Sequence, residues 1–355
     1  FAGTKDKRAI TSQVMSFSKV SAEHINQLDI QDVECNILHY SNKQLSIGDL
    51  IGNSFMIVIR EVPSDKKRLD IDHILGPLKA INGFPNFFGV QRFGGIRPIT
   101  HHVGKAMVSA DFKKAVMIYL CQHSDFEGDD ATISRKKLRK TKDFKEGFHH
   151  FPRRLRFEKI LMQHLTNHPE DYAGALQQLP KNLLTMLVYA HQSYLFNRML
   201  SNRISSGLSL TEAVEGDIIL PVMQEGVVID PIPVTTMNLN KVNQQIKKGK
   251  AVVSCIIPGS ETTFADGEMG EIQQKVIEDE KVDIRDFIIP EIPVASSYGT
   301  HRPILANMNN LTVSINQDEF HQGKQKISLS FSLFKGSYAT SFLREIMKLK
   351  DITKY

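Results

Sequence analysis

Near the C-terminal end of the chain, Ile327, Leu329, Phe331 and Leu333 alternate strictly with Ser328, Ser330 and Ser332. Successive side chains of an extended strand point to opposite faces, so this register demands a strand with one face buried and one solvated. Far upstream, Ser54 to Glu61 (SFMIVIRE) is an apolar, β-branched run bounded by Gly52-Asn53 and Pro63, and it predicts a second, more buried strand. Between the two, the apolar spacing turns helical. Arg153 to Leu165 and Lys181 to Arg203 read as long helices, the second carrying Leu184, Leu187, Val188, Leu195, Phe196 and Leu200. The chain is therefore α+β, with a largely helical segment between two strand-rich parts.

Further elements follow from local signals. Ser21 is suited to cap a short helix through Gln27, and Val33, Cys35 and Ile37 alternate as in a half-buried strand. Asp65 to Ile81 and Lys105 to Leu120 each predict an amphipathic helix, and Phe84 to Gly95 predicts a strand with an exposed working surface. After Gly216-Asp217 come short strands and prolines, then an acidic helical segment through Glu271 and Glu280. Gly336 marks a turn before a helix from Thr340 to Leu349. A length of 355 residues suits about two domains. Cys35, Cys121 and Cys255 are too widely separated for a disulfide framework or a zinc CxxC pattern, which fits a reducing, cytoplasmic setting. The longest apolar stretch, around Leu183 to Ala190, is far short of a membrane span, and the opening residues do not read as a signal peptide.

The formal net charge of +5 is mild but unevenly placed. Arg135, Lys136, Lys137, Arg139, Lys140, Lys142, Lys145, Arg153, Arg154, Arg156 and Lys159 face only Asp143, Glu146 and Glu158 in the same stretch. Such density can displace counterions from a phosphate backbone; the alternative is a solvated helix face. No P-loop, HExxH, GxSxG or dinucleotide GxGxxG motif occurs, so neither cofactor nor metal is expected. The pairs His101-His102 and His149-His150 read as surface residues or phosphate contacts.

Two segments have the chemistry of a site. In GTKDKRAITSQ, Asp6 lies between Lys5 and Lys7, with Arg8 next. A carboxylate among cations stays ionised and can serve as nucleophile or base, although a turn aspartate in a charged loop has the same appearance. In FPNFFGVQRFGG, Phe84, Phe87 and Phe88 surround Asn86, and Gln91-Arg92-Phe93 follow. Rings suit the face of an unstacked base and amides its edge; a core strand is the alternative.

Taken together and in order, GTKDKRAITSQ, NFFGVQRFG, YLFNRMLSNRI followed by EGD, and GSYATSFLRE resemble the TruD family of tRNA pseudouridine synthases, in its archaeal form. The resemblance spans essentially the whole chain. It implies a pseudouridine-synthase catalytic domain, a mixed or antiparallel sheet with helices, interrupted by an inserted α/β TRUD domain. The expected division is 1–123, catalytic; 124–301, inserted; and 302–355, catalytic again. It further implies isomerisation of uridine, at position 13 of tRNA, to pseudouridine, with no cofactor and no metal. Asp6 matches the catalytic aspartate, Asn86 the substrate-binding asparagine, and Phe88 the aromatic beside the target uracil. Tyr338 stands where family members place an aromatic against the nucleotide. Lys5, Lys7 and Arg8 become partners of Asp6 or of phosphate. Arg135, Lys136, Lys137, Arg139, Lys140, Arg153 and Arg154 are expected on RNA phosphates, and the protein is expected to be a monomer that needs no membrane. The family also carries a strand upstream of the aspartate motif, so residues before Phe1 are expected to be missing. The competing functions are a non-catalytic RNA-binding protein or tRNA-folding chaperone, and a metal-dependent nuclease built on Asp6.

Overall fold

A computed structural model describes residues 1–6, 9–64, 71–224 and 226–349. The expected roles of Lys7 and Arg8 lie outside the described residues, as does the start of the helix expected from Asp65. The N-terminal part holds helix α1 (Ala22–Asn26), strand β1 (Gly52–Pro63), α2 (Ile71–Ala80) and β2 (Gly83–Pro85). Then come seven helices: α3 (Thr100–Val108), α4 (Phe112–Cys121), α5 (Asp129–Thr141), α6 (Phe144–His150), α7 (Arg156–Asn167), α8 (Tyr172–Gln177) and α9 (Lys181–Ser205). They lead into β3 (Ile218–Met223), β4 (Gly226–Val227), β5 (Ile232–Pro233), α10 (Leu239–Lys247), β6 (Ala251–Ile257) and α11 (Gly267–Glu280). The chain closes with β7 (Thr300–Pro303), β8 (Leu305–Asn307), β9 (Asn309–Gln317), β10 (Lys324–Phe334) and α12 (Ala339–Met347).

The alternating C-terminal run is β10, the centre of an antiparallel sheet ordered β1-β10-β9. Its register sets Phe55 opposite Phe331, Ile57 opposite Leu329 and Ile59 opposite Ile327, so apolar partners share one face. That face, with α2, α12, Phe84, Ala306 and Met308, forms a compact core. β1 is an edge strand buried on one side only, shallower than its apolar run suggested: Met56 is 82% exposed because it points to the solvent face. A second, larger core runs from Phe88 to Ile304 and joins α3, α4, α7, α8, α9 and α11 with a sheet ordered β4-β3-β6-β7, β5 also pairing with β3. Helices α3 and α9 cross so closely that a Cβ on Gly104 would lie 2.0 Å from the Leu187 carbonyl oxygen.

Three local expectations are corrected. The helix expected over Lys105 to Leu120 is two, α3 and α4, because Ala110 takes the left-handed region at φ +53°. Asp111 then caps α4 by accepting from the Lys114 N–H, and such a cap restarts a helix at low cost. Val33, Cys35 and Ile37 are exposed and form no strand; among the described residues their segment pairs only through the bridge between Ile30 and Val33, so the alternation has no sheet to face there. Phe84 to Gly95 is strand only through Pro85, then loop and a short 3-10 helix, Val90–Phe93. By contrast, Ser21 caps α1 as expected, accepting from the His24 N–H.

Candidate active site

The two cores meet at two short crossings. In the first, Phe84 belongs to the sheet core and Phe88 to the helical core, with Asn86 between them. In the second, Ile304 belongs to the helical core and Ala306 to the sheet core, and β8 pairs antiparallel with β2. The NFFG loop is therefore strung across a seam and held at its first three residues. The Asn86 N–H donates to the Ile304 carbonyl at 2.8 Å, and its side-chain Nδ2 donates to the Pro303 carbonyl at 2.9 Å. The Phe87 carbonyl accepts from the Ser341 hydroxyl at 2.9 Å. Asn197, on α9, grips the main chain of Phe88 from both sides: its Oδ1 accepts from the Phe88 N–H at 2.9 Å and its Nδ2 donates to the Phe88 carbonyl at 3.0 Å. A Cβ on Gly89 would sit 2.8 Å from Thr340 Oγ1, so a larger residue there would displace that side chain.

At the centre of this arrangement is Arg302, which sequence reasoning passed over. Its guanidinium carbon lies 4.0 Å from the Phe88 ring centroid and 5.9 Å from that of Tyr338. Nη2 donates to Asn86 Oδ1 at 2.7 Å, Nε and Nη2 both reach the Asn86 carbonyl, and Nη1 donates to the Gly336 carbonyl at 2.8 Å. One side chain thus ties the loop of Asn86 and Phe88 to the turn before Tyr338. Burial pushes its pKa down to about 10, with a smaller contribution from the Arg92 guanidinium, so it stays cationic at neutral pH. The one available signal was a lone arginine in the apolar run Pro303-Ile304-Leu305-Ala306 and its approach.

Asn86 and Phe88, at 3% and 6% exposure, sit with Tyr338, whose half-buried ring lies 6.0 Å from Phe88. A small cavity of about 20 Å³ adjoins Phe88 and is lined by Gly89, Thr340, Ser341 and Arg344 among others. Asp6 is exposed, and its segment is tethered through Lys5, whose Nζ donates to Asn53 Oδ1 at 2.6 Å. Asn53 pairs with Leu333 near the end of β10, where the chain turns through Gly336 toward Tyr338. No contact joins the Asp6 side chain to Asn86, Phe88 or Tyr338 among the described residues.

The basic block divides. Lys136, Arg139, Lys140 and Arg153 are exposed on or beside α5. Lys137 pairs with Glu146 at 2.7 Å, and Arg154 pairs with Asp130 at the surface. Arg135, expected on phosphate, is instead 1% exposed and fully committed: Nε to Glu127, Nη2 to Glu158, Nη1 to the Tyr119 and Leu120 carbonyls. Its position one turn inside the amphipathic face of α5 dictates this. Nor is His101 a surface residue. It is half-buried, stacked on Tyr194 at 5.1 Å and edge-on to Phe93, and burial chiefly pushes its pKa down to about 4. His102, His149 and His150 are exposed. Among the described residues, no group of three or more His, Cys, Asp or Glu is placed to hold a metal ion, and no helix is long and apolar enough to cross a membrane.

An α+β protein whose seam gathers an amide, two aromatic rings and a cation, and which carries an exposed basic helix elsewhere, has the chemistry of an RNA-base-binding protein. The family model for tRNA pseudouridine synthase D (TruD) matches residues 1–346, and the chain belongs to that family. A Methanosarcina acetivorans protein named "Probable tRNA pseudouridine synthase D" is 42% identical over 99% of this chain and 80% of its own length. A Thermococcus sibiricus protein of the same name is 35% identical over 98% and 81%. The crystal structure of a Methanosarcina mazei protein described as "Putative tRNA pseudouridine synthase D (TruD)" superimposes with a TM-score of 0.89 at 39% identity, covering 99% of this chain and 81% of that one.

Proposed function

We propose that this chain isomerises a uridine of tRNA, that at position 13, to pseudouridine, with the Asp6 carboxylate as nucleophile. Family membership supports the activity. The observation that carries the site is the convergence of Asn86, Phe88 and Tyr338 on Arg302 at the seam, with the Lys5–Asn53 contact tethering the Asp6 segment to the strand end that leads into Tyr338. The target base must leave the RNA stack to reach a carboxylate, and the aromatics offer it a replacement stack. A carboxylate oxygen then bonds to the nucleoside, at the sugar or at the base, the N-glycosidic bond breaks, the base turns, and C5 bonds to the sugar with loss of its proton.

We read residues 124–301 as the family's inserted segment, seated on α3 and α4 of the preceding segment. Lys136, Arg139, Lys140 and Arg153 serve phosphates there, and Lys137 and Arg154 join by exchanging their surface carboxylates for the more highly charged backbone. The protein acts as a monomer in the cytoplasm. Tritium release from tRNA labelled at uridine C5 tests the reading. The natural chain should release it, and Asp6→Asn should lower the rate at least about 1,000-fold with tRNA affinity unchanged. Equal release by the amide variant would exclude the nucleophile and favour a binding or chaperone role.

A further inference from the structure

Arg92 follows the NFFG loop in the 3-10 helix Val90–Phe93, and its guanidinium carbon lies 5.3 Å from the Phe88 ring centroid. Its Nε is buried and has no acceptor among the described residues. Neither Arg92 nor Arg302 forms an ion pair among those residues, whereas Arg97, Arg135, Arg198 and Arg203 each meet at least one carboxylate. A guanidinium withdrawn from water normally has an anionic partner, so the buried Arg302 and the half-buried Arg92 beside one ring, without one, leave a place for negative charge brought by a ligand. The two differ in availability. The donors of Arg302 are spent on Asn86 and Gly336, while Arg92 keeps a buried N–H unassigned.

The reaction proposed above generates such charge beside Phe88. If the carboxylate attacks the sugar, the N1–C1′ electron pair passes to uracil and spreads over N1, O2 and O4. If it attacks the base, the pair displaced from the C5–C6 bond moves to O4. In the first route, C5 later bonds to C1′, the carboxylate regains its pair, the C5 proton departs and N1 takes one up, so atoms and electrons balance. We propose that Arg92 is a further catalytic residue, donating through its guanidinium to an oxygen of the uracil as negative charge develops there, with Arg302 as the positioning residue that holds Asn86 and Phe88 in place. The assignment rests on the pseudouridine-synthase reading. The same anionic-oxygen chemistry could come from the phosphodiester of the bound nucleotide, and the test separates the two.

Single-turnover conversion would be measured with the intact protein on tRNA carrying uridine or 5-fluorouridine at the target, following loss of the parent nucleoside by chromatography. The fluorinated base is the more stable anion and needs less help. Loss of one preorganised donor to an oxyanion slows a reaction about 100- to 1,000-fold. Arg92→Gln should therefore slow uridine conversion about 100-fold or more but 5-fluorouridine conversion at least about 10-fold less severely, with tRNA affinity and its salt dependence unchanged. Arg92→Lys should recover part of the rate. Equal slowing on both substrates, in a variant that binds tRNA normally, would overturn the inference and leave Arg92 as scaffold. A salt slope shallower by about 0.7 to 0.9 with a normal rate at saturating tRNA would assign it to a phosphate instead. If the natural chain converts neither substrate, the activity reading falls first and this inference with it.

Discussion

Arg203 and Arg302 are buried to a similar degree, at 0% and 8% exposure, in very different company. Arg203, at the end of α9, meets Asp217 through both terminal nitrogens, at 2.6 and 2.9 Å, and that carboxylate is itself 0% exposed. Arg302 meets carbonyls, an amide and aromatic faces. The first pair neutralises itself and joins the YLFNRMLSNRI and EGD segments into one scaffold. The second leaves a net positive charge in the seam, against the ring of Phe88. Burial of a cation thus says little about its role until its counter-charge is found: inside the protein it means architecture, and in a ligand it means function.

The sharpest way to break this contrast is Asp217→Ala. It strands the Arg203 cation and should cost about 3–5 kcal/mol of unfolding free energy, read from the urea midpoint, with normal turnover by the molecules that remain folded. Arg302→Met strands no charge. Its cost should be smaller, about 1–3 kcal/mol from carbonyls left without donors, while kcat falls more than 10-fold and the KM for tRNA changes little. The reverse ranking of the two stabilities would refute the comparison.

How much of this was legible beforehand depends on range. The β10 alternation, the Ser21 cap and the span of α9 are local, set by residues a turn or a pleat apart, and were readable. Phe84 to Gly95 looked like an exposed strand because its polar and aromatic residues interleave. Phe88 is in fact buried by Phe196, Arg302 and Tyr338, all more than a hundred residues away. Asn197 and Arg302 escaped notice for the same reason: each acts on main-chain atoms, and no periodicity records such a partnership. Arg135 shows the converse, since a charge run suggests a surface even where the helical period turns one member inward.

Acid offers a third test, within the helical core. His191 is buried between Tyr194 and Phe287, and burial, with Lys105 nearby, pushes its pKa down to about 3 from 6.5. The unfolded chain then binds a proton that the folded chain refuses. Stability is full above about pH 6.5 and falls by up to about 1.4 kcal/mol per pH unit as acid is added toward pH 3. Glu280 adds to this lower down: burial would raise its pKa, but Lys105, Arg198 and Tyr194 together hold it at about 2, so its contribution fades between about 4.5 and 2. His191→Phe should flatten the upper part of that acid limb in a pH series of thermal melts; an unchanged limb would remove His191 from the account.

The smallest effect belongs to the surface. Changing Lys136, Arg139 and Lys140 together to glutamine should lower the slope of log affinity against log salt by about 2 and leave conversion at saturating tRNA untouched. Adding Arg135 to the set should bring no further flattening and should instead destabilise the fold.

Helix α9 holds Phe88 through Asn197 and continues without a break to Arg203 and the pair with Asp217. A rod of 25 residues is roughly 38 Å long and stiff along its axis. Such a strut passes displacement along rather than absorbing it. On the proposed site, a load applied where RNA meets the helical body would arrive at Phe88 as a shift of its support, so residues that never touch the nucleoside would share in setting its alignment.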